Sequence, residues 1–361
     1  MAQPGEKPFQ RHHVVTTANN ITYNVYVEGV EHPEVNILTF HDLGCNHRVF
    51  HELAIHPAMT NITKRAQWIH IDAPGQEDES PDLAPDTKYA TMQELGEGLR
   101  EVLDQLNVSQ VVCLGEGAGA NILARFAMKN DDRVLGVVLI HCTGTTAGFM
   151  EKFKDKIISY KLSKQGMTST TEQYLESHRF GQIPSGIFCT EMDPNPDHKD
   201  SVTAVIEVFK QDLKTKINPK NLRFYVETFL YRTPLVNRAG DLKCRILLMT
   251  GANSSHNHTV FTLYNALNNQ IEDRSRLEVV EIDGVANVLA EAPDKFAVSF
   301  QYFLQGIGKM GHVSMTNVTR KSSVGQRGRS MSMEEADLPR GADSLCSMAA
   351  RKSSFSTNPP S

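Results

Sequence analysis

The sequence predicts a doubly wound α/β fold with a mostly parallel sheet. Short apolar runs alternate with helix-length segments, which is typical of parallel strands joined by right-handed crossover helices. One of these runs leads through a glycine-rich turn directly into a predicted helix, as expected for a strand–helix unit of such a sheet. The predicted strands, in chain order, span residues 35–40, 68–72, 110–114, 134–140, 244–251 and 277–282.

The glycine-rich turn has the outline of a nucleophile elbow. In α/β-hydrolases the motif G-x-S-x-G raises a serine hydroxyl above the sheet on such a turn. Here the motif reads Gly115-Glu116-Gly117-Ala118-Gly119, and the central Gly117 has no side chain to attack a carbonyl. We therefore interpret Gly115, Gly117 and Gly119 as structural residues of an elbow that lacks its nucleophile.

The other predicted elements support the same fold. The run 35–40 ends in His41-Asp42-Leu43-Gly44, where α/β-hydrolases place a loop of the oxyanion hole. The run 68–72 ends in a Pro-Gly turn at 73–76. The runs 244–251 and 277–282 then take the places of the seventh and eighth strands.

The remaining two positions of a catalytic triad also lack the required groups. In this fold the acid follows the seventh strand and the histidine follows the eighth. The loop after Gly251 contains no carboxylate before Glu272, and Ala286 or Asn287 falls at the histidine position. Neither of these two residues is a general base. The sequence therefore predicts that the chain is not an enzyme, because the catalytic triad is absent.

Three other groups of residues have side chains that could take part in catalysis or metal binding, and for each group a purely structural role is the alternative. Glu116 is a candidate carboxylate nucleophile, although we expect its side chain to point away from the reacting position. His41 and Asp42 form either an acid/base pair or a loop fixed by hydrogen bonds to the backbone. His256 and His258 lack a cysteine or carboxylate at ligand spacing, so neither a metal site nor a cofactor is predicted, and we expect both residues in a solvated loop.

Helical periodicity replaces the strand pattern between Gly144 and about Pro234. One predicted helix begins near Asp200 or Ser201, because apolar residues then recur every three or four positions. α/β-hydrolases insert a cap here, which either shelters a ligand or only buries apolar surface. We thus predict an α/β-hydrolase fold with a helical cap insertion and a disordered C-terminal tail. Its parts are a flexible N-terminus 1–10, a first core part 11–143, the cap 144–235, a second core part 236–310 and the tail 311–361.

Four short motifs occur in a fixed order along the chain. They are His41-Asp42-x-Gly44, Asp72-Ala73-Pro74-Gly75-Gln76, Gly115-x-Gly117-Ala118-Gly119-Ala120 and Tyr302-Phe303-Leu304-Gln305-Gly306-x-Gly308. Together they resemble the N-myc downstream-regulated (NDR) family, over about residues 10 to 310. The resemblance implies a non-enzymatic protein with a phosphorylated tail. It also implies signalling or trafficking roles in stress response, growth control and differentiation.

Composition predicts one large core in an intracellular protein. The 361 residues are 40% hydrophobic, and the six cysteines have no paired spacing, so we interpret them as reduced thiols. The N-terminal residues lack the apolar run of a signal peptide, and no stretch is long enough to span a membrane. We expect a cytoplasmic location, with partial membrane association left open.

The tail 311–361 differs in composition from the rest of the chain. It has eleven serines and no tryptophan or tyrosine, so it buries too little apolar surface to fold. Its seven basic and four acidic residues give a net charge of +3, against −8 for the remainder. Because the folded part is acidic, nucleic-acid binding is not expected of it.

The tail also contains candidate sites for basophilic kinases. Ser332 lies in an R-x-R-x-x-S sequence, and Ser330, Ser323 and Ser354 are further candidates. Such kinases carry acidic groups that pair with arginines upstream of the serine.

Three function classes remain open from the sequence. The first is a non-catalytic signalling or trafficking scaffold, with protein partners and a basophilic kinase that acts on the tail. The second is a hydrolase of non-standard mechanism that uses Glu116 or His41. The third is a lipid or small-ligand binding module that uses a pocket under the cap. Peripheral membrane contact through the tail alone has little support, because neighbouring acidic residues offset the attraction of the basic residues to an anionic surface.

Overall fold

The computed structural model describes residues 9–84, 86–146, 148–181 and 196–313. Within these ranges eight strands form one sheet in the order β1-β2-β4-β3-β5-β6-β7-β8. The strands are β1 Phe9–Thr16, β2 Thr22–Gly29, β3 Val35–Phe40, β4 Ala66–Asp72, β5 Val111–Glu116, β6 Val134–Ile140, β7 Arg245–Gly251 and β8 Leu277–Ile282.

The sheet is mostly parallel, as the sequence predicts. From β4 to β8 every neighbouring pair is parallel, whereas β1 pairs with β2, and β2 with β4, in the antiparallel direction. The prediction of a flexible N-terminus over residues 1–10 is wrong for residues 9 and 10, because strand β1 begins at Phe9, which pairs with Gly29.

Helices lie along the chain between the strands and after β8. The α-helices are α1 Arg48–Ile55, α2 Thr60–Thr63, α3 Met92–Gln105, α4 Gly117–Lys129, α5 Phe149–Gln165, α6 Ser169–Phe180, α7 Pro196–Thr215, α8 Pro219–Leu230, α9 Asn257–Gln270, α10 Val288–Glu291 and α11 Pro293–Gly306. Short 3-10 helices span Pro57–Met59, Val236–Asp241 and Arg274–Arg276.

Two hydrophobic clusters sandwich the sheet, because successive strand residues point to opposite faces. On β3, for example, Ile37 belongs to one cluster and Leu38 to the other. Helices α3 and α4 pack on the Leu38 face, and α1 and α11 pack on the Ile37 face. The cysteines of the described ranges carry free thiols: Cys45, Cys113, Cys142 and Cys244.

Helices α5 to α8 fill the chain between β6 and β7, where the sequence places the cap. Helix α7 begins at Pro196, four residues before the predicted Asp200. The cap contacts the carboxyl ends of the parallel strands: the Tyr225 hydroxyl on α8 donates to the carbonyl of His41, which follows β3. The carboxyl ends of such strands are where sites form in open α/β sheets.

Candidate functional site

The elbow is present, and Gly117 is its turning point. Gly117 follows β5, begins α4 and has a φ of +52°, a left-handed conformation that glycine adopts without a steric penalty. A Cβ added to Gly117 would lie 2.1 Å from Asp42 Cγ. The Asp42 carboxylate therefore occupies the space that the side chain of an elbow nucleophile needs.

Asp42 is held there by donors from both the core and the cap. Its Oδ1 accepts the backbone N–H of Ala118 at 2.8 Å, and His178 Nε2 on cap helix α6 lies 3.1 Å from its Oδ2. Burial opposes ionisation of this carboxyl, but His178 and the Ala118 amide hold the pKa of Asp42 below its usual range. The residue after the nucleophile supplies an oxyanion-hole N–H in α/β-hydrolases. Here that N–H already donates to a carboxylate.

His41 and Asp42 do not form a side-chain pair. The Ala73 N–H donates to His41 Nε2 at 3.0 Å, so the ring proton is on Nδ1, which donates to the Asp42 carbonyl at 2.8 Å. Burial lowers the pKa of His41 and keeps the ring neutral. Both ring nitrogens thus serve backbone groups, which favours the structural alternative of a fixed loop.

Glu116 takes part in a buried polar network directly before the elbow centre. We expected its side chain to point away from the reacting position, and its Oε1 accepts a hydrogen bond from Asn287 Nδ2 at 2.5 Å. On the cap side, Arg179 lies 3.7 Å away, close enough for an ion pair. Burial raises the pKa of Glu116, and Arg179 opposes that rise. These partners favour a structural role for Glu116.

Asn287, not Ala286, faces the elbow from the loop that carries the histidine in hydrolases. Its side chain contacts Glu116 through Nδ2, while its Oδ1 accepts the Ala290 N–H and caps helix α10. The Ala286 N–H donates to the Glu291 carboxylate. The residue at the histidine position is therefore an amide that links the elbow to a helix N-terminus, and an amide is not a general base.

Histidines from three separate segments surround the same space. His256 follows β7, and its ring centroid lies 4.7 Å from that of His178 and 6.4 Å from that of His141. His258 is exposed, as expected for a solvated loop, whereas His256 is only partly exposed and contacts the carbonyl of His178 in the cap. Among the described residues, no group of three histidine, cysteine, aspartate or glutamate side chains has a geometry that could hold a metal ion.

His141 is buried, and its hydrogen bonds favour the neutral form of the ring. The Val288 N–H donates to Nε2 at 3.3 Å, so the ring proton resides on Nδ1, which lies 3.1 Å from Ser254 Oγ. Desolvation by burial lowers the pKa of His141 to about 4. Protonation of Nε2 would break the bond to Val288 and place a charge in the core.

Because of these buried histidines, we expect the free energy of unfolding to decrease below about pH 6.5. Burial lowers the pKa of His41, His70 and His141 in the folded chain. The unfolded chain therefore binds protons that the folded chain does not. Each contribution is complete above the unfolded pKa and is lost as the pH falls toward the folded pKa, by about 1.4 kcal/mol per pH unit.

Urea unfolding between about pH 7.5 and about pH 5.5 measures this dependence. The His141→Gln variant should show a shallower loss of stability with falling pH than the parent. The exposed His32 supplies a matched control, since His32→Gln should leave the slope unchanged. A slope that His141→Gln does not reduce would contradict the assignment of His141 as a buried neutral group.

The cap packs tightly on the loop after β3. A Cβ added to Gly44 would lie 2.9 Å from Leu213 and 3.6 Å from Leu175, which belong to cap helices α7 and α6. Gly44 also has a φ of +72°. Only a glycine satisfies both demands. The loop after β3, which carries the first of the four motifs, is thereby fixed between the sheet and the cap.

The cap residues of this site are not recognisable from the sequence. His178 and Arg179 lie in α6, far from the elbow along the chain, and no local pattern distinguishes them from surface residues of a helix. His141 had a weak signal, because it is a polar residue directly after the apolar run of β6. The candidate phosphorylation sites Ser323, Ser330, Ser332 and Ser354 lie outside the described residues.

The fold and the glycine elbow together define an α/β-hydrolase-fold protein. Its structure resembles a thermophilic esterase from Thermogutta terrifontis, with a TM-score of 0.66 and 15% identity over 82% of this chain and 99% of the esterase. It also resembles an enol-lactonase from Burkholderia xenovorans, with a TM-score of 0.63 and 16% identity over 81% of this chain and all of the lactonase. At such identities the similarity shows the fold alone, and it confirms the predicted fold class.

The chain belongs to the Ndr family, whose sequence profile matches residues 12–311. An uncharacterized protein of Caenorhabditis elegans is 36% identical over 91% of this chain and 93% of its own length. Protein NDRG1 of Xenopus tropicalis is 31% identical over 89% of this chain and 77% of its own length. Human Protein NDRG2 is 28% identical over 97% of this chain and 88% of its own length. The resemblance inferred from the four motifs is confirmed.

Among the helices in the described part of the chain, none combines the length and apolarity needed to cross a membrane.

Proposed function

We propose that this chain is a non-catalytic Ndr protein that works as a signalling or trafficking scaffold. The position of Asp42 carries the proposal. Its carboxylate fills the space of a side chain at Gly117 and accepts the Ala118 N–H, the donor that hydrolases keep for the oxyanion. An ester carbonyl at the elbow would meet no side chain at Gly117 and no free Ala118 donor.

A hydrolase of non-standard mechanism is the competing proposal, with Asp42 as its strongest nucleophile. Carboxylates act as nucleophiles in some enzymes, and His178 lies 3.1 Å from Asp42. However, Asp42 is only 2% exposed, and hydrogen bonds on two sides hold it in place. A nucleophile needs a space where the reacting atom of a substrate can approach it. Burial beneath the cap therefore favours the non-catalytic proposal.

In this proposal, regulation and partner binding depend on the segment 311–361. That segment carries a net charge of +3 beside a remainder of −8, and it holds the densest group of modifiable serines. We propose protein partners and a basophilic kinase for it, a cytoplasmic location, and roles in stress response, growth control or differentiation. Membership of the Ndr family supports this class of function.

Phosphorylation of Ser332 is expected to change the set of bound partners without changing the melting temperature. A phosphate adds about −1.5 to −2 charge beside Arg327 and Arg329, so it cancels most or all of the positive charge of these two side chains. The measurement compares partners captured by Ser332→Ala and Ser332→Asp, together with their thermal unfolding.

A matched control for this comparison is Ser347→Ala, because no basic residue stands within five positions before Ser347. It should capture the same partners as the parent. The regulatory proposal fails if the two Ser332 variants capture identical partners, or if phosphopeptide mapping in stimulated cells finds Ser332 unmodified.

A further inference from the structure

A cavity of about 560 Å³ lies beside the elbow region, between helix α1, cap helix α7 and the corner that joins α10 to α11. Cavities of this size accommodate small organic ligands. It does not include Asp42 or Gly117, so it is distinct from the position that hydrolases use for their substrates. Its walls come from both the core and the cap.

Most of the cavity wall is apolar. Leu53 from α1, Val205 and Phe209 from α7, and Leu289 from α10 contribute aliphatic or aromatic surface. Val208 also lines the cavity and is 55% exposed, although large aliphatic side chains are usually buried. An apolar ligand that covers this side chain removes apolar surface from water, which favours binding.

One buried cation, Arg179, lines the same cavity. Its side chain is 7% exposed, and its Nε–H has no hydrogen-bond acceptor among the described residues. The guanidinium lies 5.1 Å from the centroid of the Phe209 ring and 3.7 Å from Glu116 Oε2, which accepts no hydrogen bond from the described part of the chain. A buried donor without an acceptor is costly, so the site has a hydrogen bond to offer to an anionic ligand.

Several of the other charged groups at the cavity already have partners. Arg48 pairs with Asp78, Lys216 lies 3.9 Å from Asp212, and the Glu291 carboxylate accepts the N–H groups of residues 286 and 287. Three basic side chains of lysine and arginine line the cavity, against four acidic ones. A ligand with several negative charges would be repelled, whereas a single negative charge finds one donor at Arg179.

We propose that this cavity binds a monocarboxylate with an apolar chain, with its carboxylate on Arg179 and its chain against Leu53, Val205 and Phe209. Planar guanidinium and carboxylate groups form short charge-assisted hydrogen bonds. No bond of the ligand is made or broken in this site. The inference goes beyond the proposed scaffold function and does not depend on it.

Isothermal titration with octanoate, octan-1-ol and octyl phosphate tests the assignment, since the three probes share one chain length and differ in charge. Octanoate should bind about tenfold tighter than octan-1-ol, because only the carboxylate satisfies Arg179, and octyl phosphate should bind more weakly than octanoate. The inference is overturned if octanoate does not bind, if the alcohol binds equally well, or if octyl phosphate binds more tightly.

Two variants locate the site. Arg179→Met combined with Glu116→Gln removes both members of the buried ion pair, so no unpaired charge is left behind, and circular dichroism verifies folding. It should reduce octanoate affinity about tenfold and leave octan-1-ol binding unchanged. Val208→Trp should block the cavity, whereas Val14→Trp, an equally exposed valine on β1, should not. Unchanged octanoate binding by either site variant would overturn the proposal.

Discussion

Gly119→Val is expected to prevent stable folding. A Cβ added to Gly119 would lie 2.0 Å from the carbonyl oxygen of Phe40, so even the first side-chain atom overlaps the backbone of β3. Helix α4 would have to move away from the sheet, and the core between them would open. We expect a loss of about 4 kcal/mol or more, which is a large part of the stability of an ordinary domain.

Thermal unfolding and soluble yield measure this effect against a matched glycine. A Cβ added to Gly306, at the end of α11, meets no atom within 4 Å. Gly306→Val should therefore melt close to the parent temperature. If Gly119→Val melts at the same temperature as Gly306→Val, the placement of the elbow against β3 is wrong.

Gly117→Ser is expected to destabilise the chain and to restore no catalysis. The new side chain collides with the Asp42 carboxylate, and the residue must hold a φ of +52°. Overpacking and backbone strain of this kind each cost roughly 1 to 3 kcal/mol. The serine would also have no histidine, because Asn287 stands at that position.

A double-mutant cycle with Asp42→Gly tests the collision directly. Removing the carboxylate frees the space, so the double variant should be more stable than the sum of the single changes predicts, by about 1 to 3 kcal/mol. Urea unfolding of the four proteins gives this coupling energy. Additive losses would mean that Asp42 does not occupy the space above Gly117.

The central parallel strands were predictable because they are buried on both faces. In β5, Val111 to Glu116 are all buried, which produces a continuous apolar run. Strand β2 was missed because it has a different pattern: Tyr23 and Val25 are buried, while Asn24 between them is only partly buried. Such alternation is a weaker signal than a continuous run, and β1 and β2 also pair in the antiparallel direction.

In the candidate site, features that depend on neighbouring residues in the sequence were predictable, whereas contacts between distant segments were not. The role of Gly117 in the elbow was recognisable because the turn between strand and helix requires a left-handed φ at that position, which is a local requirement. The contact between Asp42 and His178 was not, because 136 residues separate them and the cap alone brings them together. The ion pair between Glu116 and Arg179 was not predictable for the same reason, since Arg179 belongs to the cap.

The most direct test of a non-catalytic elbow is ester hydrolysis by the intact purified chain. Release of p-nitrophenol from p-nitrophenyl butyrate should show no initial burst and no turnover above that of the heat-denatured protein. This result follows from the absence of a side chain at Gly117 and the occupation of the Ala118 N–H by Asp42. Sustained turnover by the folded chain that Asp42→Asn abolishes, with folding intact, would contradict the account and identify Asp42 as a nucleophile.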